Sequence, residues 1–256
     1  ATIVLSEASK PPATLPVATA LPAMVYTVSD AYGHPVSGAT VSFSTGFNSG
    51  TVTPTSAVTD STGKVSTVWT TGTVAGIQQS VSATLPGQLP VVAVLNNTTP
   101  DTSRRMAIVS GVNQTTSVGG TLPLPLVVQI TDRFNNAITG DLVTFNDSLI
   151  NGGVVIPATA RTDAAGFAQT TWRVGPLAGP LRIRVRTDGS GGQVVRFSAT
   201  ATVQFRDVFA GDYFVCGVTT TDRSYCWGYG QDGQLGSVAP ISRNAPSWPV
   251  TQVDTI

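Results

Sequence analysis

The sequence predicts an all-β protein built from two copies of one sandwich domain, followed by a shorter segment of a different kind. Three observations lead to this prediction: the composition, an internal repeat, and a change of motif after Phe205. Valine and threonine are the commonest residues, whereas residues that favour exposed helices are scarce, with a single Glu and two Lys. Glycine and proline, with 26 and 17 residues, supply the turns between short strands.

The repeat is visible as two long matching segments. Tyr26–Phe43 is followed about 100 residues later by Val128–Phe145, and both segments end on Val-x-Phe. Further matches follow in the same order, Asp60-x-x-Gly63 with Asp163-x-x-Gly166 and Trp69 with Trp172. The chain is therefore predicted to contain two copies of one domain, with the two tryptophans at the centres of their cores.

Each copy is predicted to consist of short strands separated by turns. Within Met24–Ser29, the side chains of Met24, Tyr26 and Val28 alternate with those of Val25, Thr27 and Ser29. This period of two is typical of a strand with one buried and one solvated face. Turn sequences such as Tyr32–Pro35 interrupt the strands. About seven short strands in roughly 100 residues are typical of an immunoglobulin-like β-sandwich. We expect such sandwiches at residues 1–98 and 99–204.

The first copy carries a specific motif between Asp30 and Phe43, namely Asp-x-x-Gly-x-Pro-Val-x-Gly-x-x-Val-x-Phe. Together with the later Asp-x-x-Gly and Ala-Gly, it resembles the group 1 bacterial Ig-like domain, the repeat of invasin- and intimin-like surface proteins. The resemblance covers residues of about 1–204 and is weaker in the second copy, where Asn136-Ala137 replaces His34-Pro35. It implies an extracytoplasmic spacer or presentation module without an active site.

The segment 205–256 contains Cys226-Trp227-Gly228 followed by Gly233-Gln234-Leu235-Gly236. This combination is similar to one repeat of the RCC1-like β-propeller family, and Pro249–Val253 fits the strand that opens its next repeat. One repeat of about 50 residues cannot bury both faces of its own sheet, so the segment is predicted to be a partial propeller blade. The exchange-factor activity of the family's best-known member is not carried over, because nothing in one neutral repeat supports it.

The chain has two cysteines, Cys216 and Cys226, on the arms of a predicted hairpin that turns at about Thr219–Asp222. The two cysteines lie at nearly the same number of residues from that turn, so in the hairpin they fall within one residue of being directly opposite each other. A disulfide is therefore predicted. Two reduced core thiols are the alternative, and a metal site would lack further cysteine ligands. A structural disulfide would indicate an oxidising compartment.

Three arginines, Arg182, Arg184 and Arg186, alternate along one predicted strand and therefore point to the same face. They are the candidate interaction residues, as a stripe for an anionic partner. The alternative is a solvated or edge-protecting face that has no partner.

Other polar side chains are predicted to stabilise turns. His34 lies in a Gly-His-Pro turn, where a polar turn residue is favoured over a ligand or pH sensor. Each of four aspartates stands beside a Gly or Asn, where its side chain caps its own backbone; a Ca²⁺ site is the alternative. They are Asp30, Asp60, Asp132 and Asp163.

The composition also argues against several classes of function. The formal net charge is zero, with 14 basic and 14 acidic residues, so a nucleic-acid partner is not expected. One His and one Glu leave few groups for acid–base chemistry, and we predict no catalytic residue, no cofactor and no metal site. No apolar run is long enough to span a bilayer, so direct membrane insertion is not expected.

The sequence thus predicts a non-catalytic extracytoplasmic protein, at the cell surface or in the periplasm, of structural or adhesion type. Its two sandwiches would space and present a C-terminal propeller for binding to protein partners. The alternative is an accessory scaffold subunit docked on the outer, periplasmic face of a large membrane complex, such as an electron-transfer or photosynthetic assembly. That alternative is motivated by a chain that has no initiator Met and no purification tag and that ends within a repeat, as expected of a trimmed native polypeptide.

Overall fold

The structure is a computed structural model that describes residues 1–145, 153–188, 192–220 and 222–229, and the backbone of 243–247. Within these ranges every regular element is a strand except a single 3-10 turn at Glu7–Ser9. The prediction of an all-β fold is confirmed. No helix of the described ranges has the length and hydropathy to cross a membrane. The motifs Gly233–Gly236 and Pro249–Val253 lie outside the described residues.

The chain divides into two compact units, Ala1–Arg105 with Thr131–Ile138, and Met106–Ile130 with Thr139–Ile256. The domain boundaries predicted at 98/99 and 204/205 stay predictions. The strands of the first unit are β1 (Thr2–Leu5), β2 (Thr14–Pro16), β3 (Met24–Ser29), β4 (Thr40–Thr45), β5 (Thr51–Thr53), β6 (Ser56–Val58), β7 (Lys64–Thr70), β8 (Gln79–Thr84), β9 (Val91–Leu95) and β10 (Asn97–Thr99).

Two four-stranded sheets form the sandwich of the first unit, in the orders β1-β3-β7-β5 and β6-β4-β8-β9, with a parallel pair formed by β10 and β2. The alternation predicted for β3 is confirmed, because Met24, Tyr26 and Val28 are buried and their neighbours are half-buried. Side chains of both sheets form one core, in which Trp69 is fully buried as predicted.

The first unit has more strands than the seven expected, and one of the additional strands arises because Pro54 divides one extended segment into β5 and β6. Proline has no N–H to donate to a sheet. On either side of it the chain joins different sheets, since β5 pairs with β7 and β6 pairs with β4. The second copy repeats this division at Pro157, between Val154–Ile156 and Thr159–Arg161.

The buried hydroxyl of Tyr26 has no hydrogen-bond partner among the described residues. Its ring packs against Phe43, with 5.6 Å between the ring centroids, and burial raises the pKa of the phenol to about 12. A buried hydroxyl without a partner loses its hydration and gains nothing in return. The Val128 that stands at the repeat-equivalent position carries no such polar atom.

We therefore expect Tyr26→Phe to stabilise the first unit by about 1 kcal/mol, because the substitution removes the unpaired hydroxyl and keeps the ring. Urea unfolding followed by circular dichroism measures the change. Tyr32→Phe is the control, since Tyr32 is 87% exposed and its hydroxyl is solvated in both states. A Tyr26→Phe protein less stable than the wild type would contradict the expectation.

The remaining strands form three sheets. These strands are β11 (Arg105–Ser110), β12 (Gln114–Ser117), β13 (Leu126–Thr131), β14 (Leu142–Thr144), β15 (Val154–Ile156), β16 (Thr159–Arg161), β17 (Phe167–Arg173), β18 (Gly179–Thr187), β19 (Val194–Thr202), β20 (Phe205–Ala210), β21 (Phe214–Thr219), β22 (Ser224–Gly228) and β23 (Arg243–Ser247). Their orders are β11-β13-β17-β15, β12-β19-β18-β14-β16 and β20-β21-β22-β23. Trp172 is 2% exposed on β17, as predicted for the second core.

Candidate interaction surface

The predicted turn aspartates accept hydrogen bonds from their own backbone. Asp60 Oδ1 accepts from the N–H groups of Thr62 and Lys64, and Asp163 Oδ1 accepts from those of Ala165 and Phe167. The capping role predicted for these residues is therefore confirmed. No group of three or more His, Cys, Asp or Glu in the described part of the chain could hold a metal ion.

The glycine of the Asp-x-x-Gly motif has a steric role. Gly63 has a φ of +73°, and a Cβ placed on it would lie 2.5 Å from the carbonyl oxygen of Val28. Gly166 repeats the conformation with a φ of +79°. In the preceding turn the left-handed position is Gly33 in the first copy and Asn135 in the second, since Asn tolerates this region better than other side chains.

His34 lies beside Asp30 at an exposed turn, with 3.3 Å between Nδ1 and Asp30 Oδ2. The hydrogen bond from the His34 backbone N–H is the largest cause that lowers the pKa of Asp30, and desolvation opposes it. This geometry agrees with the predicted turn role of His34.

Asp132 differs from the other three because it is fully buried. Its carboxylate accepts hydrogen bonds from the backbone N–H groups of Asp101, Phe134 and Asn136 and from the side-chain amide of Asn136. The Asn136 amide also donates to Thr73 O and accepts from Ala75 N–H, at 2.9 Å each. These bonds explain why Thr131–Ile138 belongs to the first compact unit.

The three candidate arginines lie on one outer sheet face, as their spacing predicts. On β18 the side chains of Leu181, Ile183 and Val185 are buried, so those of Arg182, Arg184 and Arg186 are exposed on the opposite face. Arg186 Nε lies 3.8 Å from Asp188 Oδ1, and a little under half of each side chain is exposed.

Two further arginines, which were not among the residues predicted from the sequence, share this face. Arg196 on β19 stands directly opposite Arg184, and Arg161 lies on β16 at the edge of the same sheet. Arg161 is exposed and donates from Nη1 to the carbonyl oxygen of Gly140 at 2.7 Å. Reflecting Arg184 through the glycine-rich turn before β19 would have found Arg196. We call Arg161, Arg182, Arg184, Arg186 and Arg196 the arginine face.

The interpretation that Arg182 and Arg184 protect a sheet edge stays a prediction. β18 is the central strand of its sheet and pairs with β19 on one side and β14 on the other. Among the described residues β14 pairs with Arg186 and Thr187 of β18, so Arg186 does not lie at a sheet edge. Overall neutrality also conceals this local charge, because the arginines collect on one face while the aspartates occupy turns.

The disulfide predicted between Cys216 and Cys226 is present. The two residues are directly opposite each other on β21 and β22, with 4.1 Å between their Cα atoms. Phe214 packs against the bridge on the same face of the hairpin. The alternative of two reduced thiols does not apply.

Aromatic side chains cover the other face of this hairpin. The Phe205 ring lies over Gly217, where a Cβ would meet it at 2.3 Å, and its centroid is 5.4 Å from that of Trp227. Tyr225 is buried, which raises the pKa of its phenol, and its hydroxyl donates to the carbonyl oxygen of Pro176 at 3.1 Å. The hairpin is thus held by the bridge on one face and by aromatic contacts on the other.

Reduction of the Cys216–Cys226 bond is expected to destabilise the C-terminal hairpin locally. The two cysteines are 10 residues apart, and closing such a loop contributes about 2–3 kcal/mol in the chain-entropy model. Hydrogen exchange with and without reductant should show lower protection in β20–β22 and unchanged protection in β3 and β7, which contain no cysteine. The Cys216→Ser/Cys226→Ser protein should match the reduced wild type. Equal protection of the hairpin in both conditions would contradict the expectation.

Comparison with known proteins adds a sequence match and several structural likenesses. Residues 205–234 match the family model of the regulator of chromosome condensation (RCC1) repeat. No curated protein gives a significant match to the sequence.

The structural likenesses cover most of the chain at low identity. The D0-D1 domain of intimin is 18% identical, covering 78% of this chain and 96% of that one, with a TM-score of 0.32. FdeC, an Escherichia coli adhesin, is 16% identical with a TM-score of 0.43, covering 77% of this chain and 63% of its own. Invasin, described as a bacterial integrin-binding protein, is 21% identical with a TM-score of 0.35, covering 85% and 46%. The structural neighbours of this chain thus include bacterial adhesin domains of the intimin and invasin type.

Proposed function

We propose that the protein is a non-catalytic, extracytoplasmic structural protein of adhesion type that presents its C-terminal repeat to protein partners. The observation that carries the location is the disulfide between Cys216 and Cys226, the only cysteines of the chain. Structural disulfides form and persist in oxidising compartments and are rare in reducing ones. Duplication of one sandwich supports the spacer role, because repeated domains extend a chain without new chemistry.

The aspartate turns support the non-catalytic part of the proposal. A general acid or base needs a carboxylate that can reach a substrate. The oxygens of Asp60, Asp132 and Asp163 instead accept hydrogen bonds from neighbouring backbone N–H groups. Their positions are explained by turn formation alone.

Antibody labelling of the native cells would test the location. We expect antibodies against the whole chain to label intact cells if the protein is at the surface, and to label them only after outer-membrane permeabilisation if it is periplasmic. Labelling that requires lysis of the cytoplasmic membrane would overturn the proposal. Maleimide labelling of the protein from the same cells is the control, because no free thiol should be found before reduction.

The accessory-scaffold alternative stays a prediction. Its test is co-purification of the protein with a membrane complex after mild solubilisation. None of the described contacts distinguishes this role from that of a free adhesion module.

A further inference from the structure

The arginine face is an unexpected arrangement for a sheet that serves stability alone. Arg184 and Arg196 are directly opposite each other on β18 and β19, and like charges in that position destabilise a strand pair. Arg182 and Arg186 extend the charge along the central strand. A row of like charges that breaks this local rule marks a candidate functional site.

Charge balance on this face favours an anionic partner. Among the described residues, Asp188 forms an ion pair with a member of the arginine face, namely Arg186 at one end of β18. In the described part of the chain no acidic side chain forms an ion pair with Arg182 or Arg196. These two guanidinium groups are exposed and available to a ligand.

The spacing of the arginines matches that of an extended polypeptide. Side chains two residues apart on a strand are separated by about 6.6–6.8 Å, which is the separation along Arg182, Arg184 and Arg186. An extended peptide with an acidic residue at every second position presents its carboxylates at the same interval. The planar guanidinium group can donate two parallel hydrogen bonds to one carboxylate, which a lysine ammonium group cannot do.

We propose that the arginine face binds an extended acidic segment of a partner protein in which every second residue is Asp or Glu. The proposal rests on the proposed role in protein binding and names the chemistry of the partner. Each contact is solvent-exposed and therefore weak, so binding requires several of them together and weakens with salt.

A synthetic peptide of alternating Asp and Thr, labelled for fluorescence anisotropy, is the probe, and it is titrated with the whole chain. A peptide of the same composition with its Asp residues in one block is the comparison. We expect the alternating peptide to bind more tightly than the block peptide, and its affinity to fall as NaCl rises from 50 to 300 mM. Equal affinity for both peptides would overturn the proposal, and so would tighter binding of polygalacturonate, an anionic polysaccharide.

Substitution of Arg182 and Arg196 distinguishes binding at the arginine face from a general effect of positive charge on peptide binding. We expect Arg182→Ser/Arg196→Ser to weaken binding by about 5- to 10-fold, the loss of two exposed ion pairs. Lys64→Ser/Arg105→Ser, on exposed strand positions elsewhere, removes the same charge and should change binding less than 2-fold. Equal weakening by both pairs would refute a specific face.

A conservative variant keeps the test valid if the double variant folds poorly. Arg196→Lys retains the charge but loses the planar fork, and we expect intermediate affinity with an unchanged thermal transition. Wild-type affinity of Arg196→Lys would refute the bidentate contact. Failure of peptide binding with correct antibody labelling would overturn this inference alone, whereas labelling only after cell lysis would overturn the proposed function whatever the peptide result.

Discussion

Replacement of Trp69 by alanine is expected to lower the free energy of unfolding of the first unit by about 3–5 kcal/mol. The indole is fully buried on β7 and belongs to a core cluster to which both sheets of the sandwich contribute. Its Nε1–H also donates to the carbonyl oxygen of Ser49 at 2.6 Å, so the substitution leaves both a cavity and an unpaired carbonyl. The thermal transition of the first unit, followed by near-ultraviolet circular dichroism, measures the loss.

Two further variants test which property of Trp69 causes the loss of stability and whether the loss is confined to the first unit. Trp69→Phe keeps most of the ring volume and removes the hydrogen bond, so we expect a smaller loss of about 1–2 kcal/mol. Trp172→Ala alters the equivalent position of the second unit and should leave hydrogen-exchange protection of β3 and β7 unchanged. A loss of less than 1 kcal/mol for Trp69→Ala would show that the indole is not the centre of this core.

Asp132→Ala is expected to destabilise the first unit by about 2–4 kcal/mol, because four partly buried hydrogen-bond donors lose their buried acceptor. Asp163→Ala is the matched control at an exposed turn, and we expect a loss of about 0.5–1 kcal/mol there. Urea unfolding of both variants measures the difference. Equal losses at the two positions would contradict the importance of burial.

The stability of the first unit should also depend on the ionisation of Asp132. Burial raises the pKa of this carboxyl, but the hydrogen bonds from Asn136, Asp101 and Phe134 together outweigh it and hold the pKa below its usual value. The unfolded chain therefore takes up the proton first, at about pH 4, and stability present above that pH is lost as the pH falls through the native pKa. Unfolding measured between pH 6 and pH 2 should show a shallower dependence for Asp132→Asn.

Much of the architecture follows from local patterns in the sequence. The alternation in Met24–Ser29 predicts a strand with one buried face, and β3 has that burial. The Asp-x-x-Gly motif predicts turns capped by Asp60 and Asp163, because a side chain and backbone only a few residues apart meet in any fold that contains the turn. The hairpin spacing predicts that Cys216 and Cys226 face each other, which the register confirms.

Other features could not be predicted because they depend on contacts between distant segments. Arg161 joins the candidate arginines only through the pairing of β16 with β14, and β18 is a central strand only because β14 pairs with its other side. Asn136 bonds Thr73 and Ala75, more than 60 residues away in the chain. No local periodicity encodes these distances.

The sequence by itself therefore determined the all-β class, the duplicated sandwich, the turn caps and the cysteine pairing, since all of these depend on side-chain alternation and short-range backbone geometry. Only the tertiary structure decided the order of strands within each sheet, and with it which exposed charges share a face. It also decided that Asp132 is buried while the equivalent turn aspartates are not. The physical reason is that burial and strand order are set by long-range packing, which a single sequence specifies without displaying.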